Sequence, residues 1–196
     1  MSGVHALVLA AGSARRFGAA KLLAPFRGGA LIDAALGAAL KAPVSSVVVT
    51  TGAGAEAVAA RVRAVAPGAV LVHASDHAEG MAASLRAGIA GLPPTAEGVL
   101  IFLGDMPDIP EEIPPKLVRA LLAGAPAAAP SLAGRRGHPV GVTRSQFPAL
   151  TALSGDEGAR RVLEGLGEAV ALVETDDPGV LADVDTPADL FALARR

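Results

Sequence analysis

Short apolar runs alternate with longer stretches rich in alanine and leucine along this chain. Val4–Ala10 is apolar throughout apart from His5, and residues 46–51, 69–72, 99–103, 140–143 and 169–173 repeat the pattern. Runs of this length, bounded by turn residues, suit strands buried on both faces of a sheet. Between them, residues 30–41, 55–66, 81–90, 111–123, 157–166 and 188–195 read as helices. Pro43, Pro67-Gly68 and Pro93-Pro94 close helical stretches, as proline and glycine do. This order predicts an α/β fold of three layers, Rossmann-like, with helices on both faces of a mostly parallel mixed sheet. No repeat or linker divides the 196 residues, so a single domain spanning residues 1–196 is expected. The stretch containing Pro126, Pro130 and residues 134–141 is looser and is predicted to depart from strict alternation.

Composition narrows the classes. Hydrophobic residues make up 52% of the chain and charged ones 18%, which argues against disorder. No apolar run approaches the roughly 20 residues of a membrane helix. Met1-Ser2-Gly3-Val4-His5 lacks the basic flank of a signal peptide, so a cytoplasmic protein is expected. The absence of cysteine removes disulfides, thiolate nucleophiles, iron–sulfur clusters and cysteine zinc sites. A net charge of -2 and 3% aromatics provide neither a basic surface for nucleic acid or membrane nor stacking platforms for single strands.

In an open sheet of this kind, ligands bind beyond the carboxyl ends of the strands. The loop after the first run, Ala10-Ala11-Gly12-Ser13-Ala14-Arg15-Arg16-Phe17-Gly18-Ala19-Ala20-Lys21, combines small residues with three cations. Small residues let backbone N–H groups approach an anion, and Arg16 and Lys21 add charge suited to phosphates. The loop matches neither G-x-x-x-x-G-K-[ST] nor G-x-G-x-x-G, and a solvated surface loop is the plain alternative. Asp105, in Gly104-Asp105-Met106-Pro107, follows the run 99–103, where a carboxylate can hold Mg²⁺ against substrate phosphates. An aspartate in a turn before proline is equally ordinary. In Asp183-Val184-Asp185-Thr186-Pro187-Ala188-Asp189, Thr186 as N-cap, Pro187 at N1 and Asp189 in the first turn describe a helix start. That leaves Asp185 unassigned. Gly80, Met81 and Ser84 open a helix, and Arg136-Gly137-His138 and Gly155-Asp156-Glu157-Gly158-Ala159-Arg160 are polar islands. Finally, Gly52-Ala53-Gly54 follows a strand, and Asp76 lies about 20 residues further on, as in dinucleotide-binding oxidoreductases.

Leu9-Ala10-Ala11-Gly12, Arg16-Phe17-Gly18 and Lys21 together resemble the signature L-A-A-G-x-S-x-R-M-G-x-x-K of the MobA-like NTP transferases, with Ala14 and Phe17 as departures. Gly104-Asp105-Met106-Pro107 is similar to that family's G-D-[MQ]-P, and residues 183–190 to D-[IV]-D-T-P-x-D-L. G-M-x-x-S-L-R-x-G, R-G-H-P-V and G-D-x-G-A-R resemble its molybdenum cofactor cytidylyltransferase branch. The resemblance implies a nucleotide held by Ala10, Ala11, Gly12, Ser13, Arg16, Lys21, Gly80, Met81, Ser84 and Asp105. It implies catalysis by Lys21, Arg16 and Asp105, and Mg²⁺ (or Mn²⁺) on Asp105 and Asp185. A phosphorylated acceptor would meet Arg136, His138, Gly155, Asp156 and Arg160. The implied reaction transfers CMP from CTP to a molybdopterin acceptor, with a molybdenum hydroxylase as a recipient. Three readings stay beside it: another NTP or acceptor on the same fold, an NAD-dependent oxidoreductase using Gly52-Ala53-Gly54, and a non-catalytic nucleotide-binding delivery partner.

Overall fold

The computed structural model describes residues 3–12, 17 and 21–195. Among the described residues ten strands form: β1 (Val4–Ala10), β2 (Pro25–Phe26), β3 (Gly29–Ala30), β4 (Val47–Thr51), β5 (Val70–His73), β6 (Gly98–Leu103), β7 (Ala127–Leu132), β8 (Arg135–Arg136), β9 (Val140–Thr143) and β10 (Val170–Glu174). Seven helices accompany them: α1 (Leu31–Lys41), α2 (Ala55–Val65), α3 (Met81–Ala90), α4 (Ile113–Leu122), α5 (Phe147–Thr151), α6 (Ala159–Leu166) and α7 (Pro187–Ala194). The main sheet runs β10-β7-β9-β6-β1-β4-β5, with β8 paired to β7. β9 is antiparallel to both neighbours, and the other six strands of that path are parallel.

Alternation along β1 explains the three layers. Val4, Ala6, Val8 and Ala10 point into one core, packed with Leu36 of α1, Val62 of α2 and Leu117 of α4. Leu7 points into the other, with Leu85 of α3, Leu150 of α5 and Leu163 of α6. A strand covered on both faces has no polar side to show, hence its nearly unbroken apolar run. A third cluster joins Phe26 and Leu31 to Val184 and Leu193, and so docks α7 beside the β2–β3 hairpin.

Two differences from the sequence expectations have physical causes. β7, Ala-Ala-Ala-Pro-Ser-Leu, lacks the β-branched residues that mark strands, and contains a proline. Ala127 and Ala128 pair with β9, whereas Ser131 and Leu132 pair with β8. Pro130 lies where the partner changes, and its carbonyl accepts from Gly137 N at 2.8 Å. Helix α4 starts at Ile113, after the predicted 111, with proline in its first turn.

The strand order turns back at β1. From there the chain goes outward to β4 and β5, then returns to place β6 on the opposite side of β1. The carboxyl ends of β1 and β6 therefore flank a topological switch point, where an open sheet leaves a crevice.

His5 is the one polar side chain within β1, buried with Nδ1 2.8 Å from Ser46 Oγ. Burial holds its imidazole below the ordinary value of 6.5, so the unfolded chain takes up a proton that the folded chain resists. Stability from neutral His5 is complete above 6.5 and declines as pH falls below it, until the folded imidazole also protonates. The urea midpoint is expected to drop between about pH 7.5 and about pH 5, and a His5→Gln variant to lose part of that slope. Parallel slopes in the two proteins would refute the assignment.

Candidate active site

Lys21 lies at the switch point, its side chain 10% exposed. Its Nζ donates to Asp105 Oδ2 at 2.6 Å and to the Val184 carbonyl at 2.6 Å, and stands 3.9 Å from Asp185 Oδ1. Asp105 follows the carboxyl end of β6 through Gly104, whose N–H donates to the Leu9 carbonyl at 3.0 Å. Val184 N–H returns the tie by donating to the Asp105 carbonyl at 3.0 Å. Three segments far apart in sequence thus converge on one ammonium.

The start of α7 fixes Asp185 from the other side. Thr186 caps the helix by accepting from Asp189 N–H, while the Asp189 carboxylate accepts from Thr186 N, Thr186 Oγ1 and Asp185 N. Those hydrogen bonds hold the Asp189 carboxyl below its ordinary range. Asp183 behaves in the opposite way: burial raises its pKa, and the nearby charges of Asp185 and Asp105 raise it further. Asp105, Asp183 and Asp185 therefore form an acidic group, and Lys21 is the cation within it.

Among the described residues no trio of His, Asp and Glu has the spacing of a complete metal cage. Asp105 and Asp185 flanking one ammonium still suit a hard divalent cation. Mg²⁺ commonly binds through one or two carboxylates and takes its remaining ligands from water and substrate phosphates.

A cleft of about 350 Å³ opens from this cluster, with Ala11, Gly12, Lys21 and Asp105 at one part of its wall. His77, Glu79, Gly80, Met81, Ser84 and Asp156 stand at another part. The structure therefore gathers Ala11, Gly12, Lys21, Gly80, Met81, Ser84 and Asp105, the described residues expected at a nucleotide, around one space; Ala10 ends β1 just behind it. Ser13 and Arg16 lie outside the described residues.

The residues expected at an acceptor do not lie together. Asp156 lines the first cleft instead, and Gly155 beside it accepts from Ala82 N–H at 3.1 Å and so supports the start of α3. Arg136, His138 and Arg160 line a second cavity of about 490 Å³, between the β8 hairpin and α6. Arg136 is largely occupied there, donating to the carbonyls of Leu163 and Gly167 at 3.2 Å each. Arg160 is exposed and pairs with Glu164. His138 is half-buried; desolvation lowers its pKa, opposed by Asp105 and by a hydrogen bond to the Ile101 backbone. Its Nδ1 is buried without a hydrogen-bond partner among the described residues.

The dinucleotide-like turn is also filled. A Cβ on Gly52 would stand 2.7 Å from the Ala11 carbonyl oxygen and 2.7 Å from the His77 side chain. Asp76, which that reading reserves for a ribose, is held by Arg86 at 2.7 Å. His77 is the cleft residue that sequence reasoning missed. Its signal was available: a polar side chain just past the carboxyl end of β5, three residues before Gly80.

A family profile described as MobA-like NTP transferase domain matches residues 6–173. Nicotine blue oxidoreductase of Paenarthrobacter nicotinovorans is 33% identical over 97% of this chain and 96% of its own. Purine catabolism protein PucB of Bacillus subtilis is 34% identical over 96% of this chain and 94% of its own. Molybdenum cofactor cytidylyltransferase of Escherichia coli is 26% identical over 100% of this chain and 98% of its own. Among solved structures, an Rv0371c homologue from Mycobacterium sp. strain JC1 superposes with a TM-score of 0.85 at 33% identity, covering 99% of this chain and 96% of that one. Rv0371C of Mycobacterium tuberculosis, crystallised with manganese, gives a TM-score of 0.83 at 28% identity, covering 98% of both chains.

Two outcomes follow from this geometry. Gly80 holds φ at +118°, and a Cβ there would collide with the Gly155 carbonyl. Gly80→Ala should cost roughly 1–3 kcal/mol from backbone strain, read from urea unfolding; a cost near zero would show that the α3–Gly155 contact is slack. Asp183, with its pKa raised above 3.8 in the fold, costs stability as pH rises through that range. Asp183→Asn should therefore melt higher than the parent at neutral pH in chelator, with the gain vanishing near pH 4. A gain that persists at pH 4 would contradict the electrostatic cause.

Proposed function

The chain belongs to the MobA-like NTP transferase family and is a nucleotidyltransferase, and we propose that it transfers CMP from CTP to a molybdopterin acceptor. The observation that carries this reading is the Lys21 ammonium between Asp105 and Asp185, at the mouth of a cleft sized for a nucleotide. An oxygen of the acceptor's terminal phosphate forms a bond to the α-phosphorus of CTP. The bond from that phosphorus to the bridging α–β oxygen breaks, and pyrophosphate leaves with its electron pair.

No general base is needed, because a phosphate monoester with a second pKa near 6 is already largely ionised at neutral pH. The work of the protein is to align two anions and offset charge as it develops. Lys21 supplies a fixed positive charge where the triphosphate meets the sheet edge, and Arg16 is assigned the same role. Backbone N–H groups around Ala11 and Gly12 approach the phosphates closely. Gly80, Met81 and Ser84 hold the nucleoside. Mg²⁺ or Mn²⁺ held by Asp105 and Asp185 would neutralise phosphate charge and steady the leaving group. The cavity lined by His138, Arg136 and Arg160 is assigned to the acceptor, with the guanidinium of Arg160 favouring a phosphorylated one. The cytidine preference rests on Leu9-Ala10-Ala11-Gly12 and on likeness to the cytidylyltransferase branch. A molybdenum hydroxylase is the proposed recipient of the product, and the cytoplasm the proposed compartment; no described helix is long and apolar enough to cross a membrane.

Pyrophosphate release, assayed with each NTP and molybdopterin as acceptor, tests the reading. CTP is expected to give the fastest release, and Asp105→Asn to lower it by at least about 100-fold with an unchanged circular dichroism spectrum. Unaltered turnover in that variant would remove Asp105 from the mechanism. NAD binding in the absence of CTP binding would replace transfer by the oxidoreductase reading.

A further inference from the structure

Gly52-Ala53-Gly54 matches a dinucleotide turn in sequence, yet the fold gives it a different neighbour. Gly52 ends the β4 connection directly against His77 and the Ala11 carbonyl, leaving no room there for a side chain. His77 stands in the 3-10 turn His77–Glu79, before α3, and forms part of the cleft wall shared with Gly12 and Lys21. Its Nδ1 lies 3.0 Å from the Ala74 carbonyl oxygen. A carbonyl only accepts, so Nδ1 carries the hydrogen. In the neutral ring, Nε2 is then an acceptor, and it makes no hydrogen bond with the described residues. The backbone thereby selects one tautomer and leaves a single lone pair as the ring's remaining polar function.

We propose that His77 reads the nucleobase, its Nε2 accepting a hydrogen bond from an exocyclic amino group, as cytosine presents, and rejecting the keto oxygen that uracil presents in its place. The keto base sets acceptor against acceptor and leaves both without a donor. A buried polar group stripped of its partner loses about 1–3 kcal/mol, which discriminates far better than shape between two bases of equal size. Gly52 is a positioning residue in this scheme: its missing Cβ lets the imidazole pack against the strand end beside Ala11. Turn and histidine act as one device, which explains a glycine motif that has no dinucleotide to bind.

The proposal rests on the nucleotidyl-transfer reading, and the experiment separates the two. Calorimetry with the full chain and Mg²⁺, without acceptor, measures binding of CTP, UTP and 2′-deoxyCTP to the parent, His77→Phe, His77→Gln and Gly52→Ala. The parent is expected to favour CTP over UTP by at least about 10-fold. His77→Phe keeps the ring and removes the acceptor; it should lose CTP and 2′-deoxyCTP affinity alike, leave UTP unchanged, and so erase the preference. His77→Gln, which keeps an acceptor oxygen, should restore part of it. Gly52→Ala should weaken the preference while circular dichroism shows the fold intact. Equal losses for CTP and UTP in His77→Phe would overturn the proposal. So would a loss confined to CTP and absent from 2′-deoxyCTP, which would place the lone pair on the ribose. If the parent binds no nucleotide at all, the transfer reading fails instead.

Discussion

The ammonium of Lys21 is the tie on which the site depends. Asp105 at the end of β6, the Val184 carbonyl before α7, and Asp185 all converge on it. Remove that charge and three carboxylates face one another; burial, with the charges of Asp185 and Asp105 added to it, already raises the pKa of Asp183. A half-buried ion pair is a poor source of net stability, because desolvation offsets much of the attraction. The arrangement makes better sense as a poised electrostatic site. Under the proposed function, acidic side chains for a cation and a lysine for phosphates are stored together, each satisfied by the other until a charged ligand enters.

That tie is available only because the sheet brings its partners to one edge. β1 and β6 are parallel neighbours flanking the place where strand order reverses. Helices on both faces consume the apolar side chains, so polar chemistry is confined to the carboxyl ends. Arg27 adds a second brace. It donates to Asp108 Oδ1 at 2.6 Å and to the Leu193 carbonyl at 2.7 Å, linking the loop after β6 to the far end of α7. The two acidic arms are therefore clamped at both ends, by Lys21 within the site and by Arg27 behind it.

Much of this was legible in the order of residues. Strands buried on both faces leave unbroken apolar runs, so β1, β4 and β6 could be read directly, and the cap at Thr186 left Asp185 over for chemistry. β7 was not legible, since three alanines and a proline carry no strand preference; its pairing with β9, β8 and β10 is imposed by tertiary structure. The polar islands were legible as islands but not as partners. Gly155 and Arg136 read alike in sequence, yet one supports the start of α3 and the other fastens β8 to the end of α6. The place of His77 just past β5 was legible, but a single histidine in a turn is a weak signal; its fixed tautomer and its position in the cleft wall give it meaning.

The same contrast explains why reaction type is easier to reach than substrate. Lys21, Asp105 and Asp185 stand where topology dictates, and any chain that folds this way has few other places for them. The walls assigned in our proposal to base and acceptor are built from the turn before α3, the loop before α6 and the β8 hairpin, which topology leaves free. Relatives about one-third identical across nearly their whole length accordingly bear names as different as an oxidoreductase and a purine catabolism protein. Substrate choice in this chain must be sought in side chains such as His77 and His138, whose hydrogen-bonding capacity the fold fixes but does not itself fill.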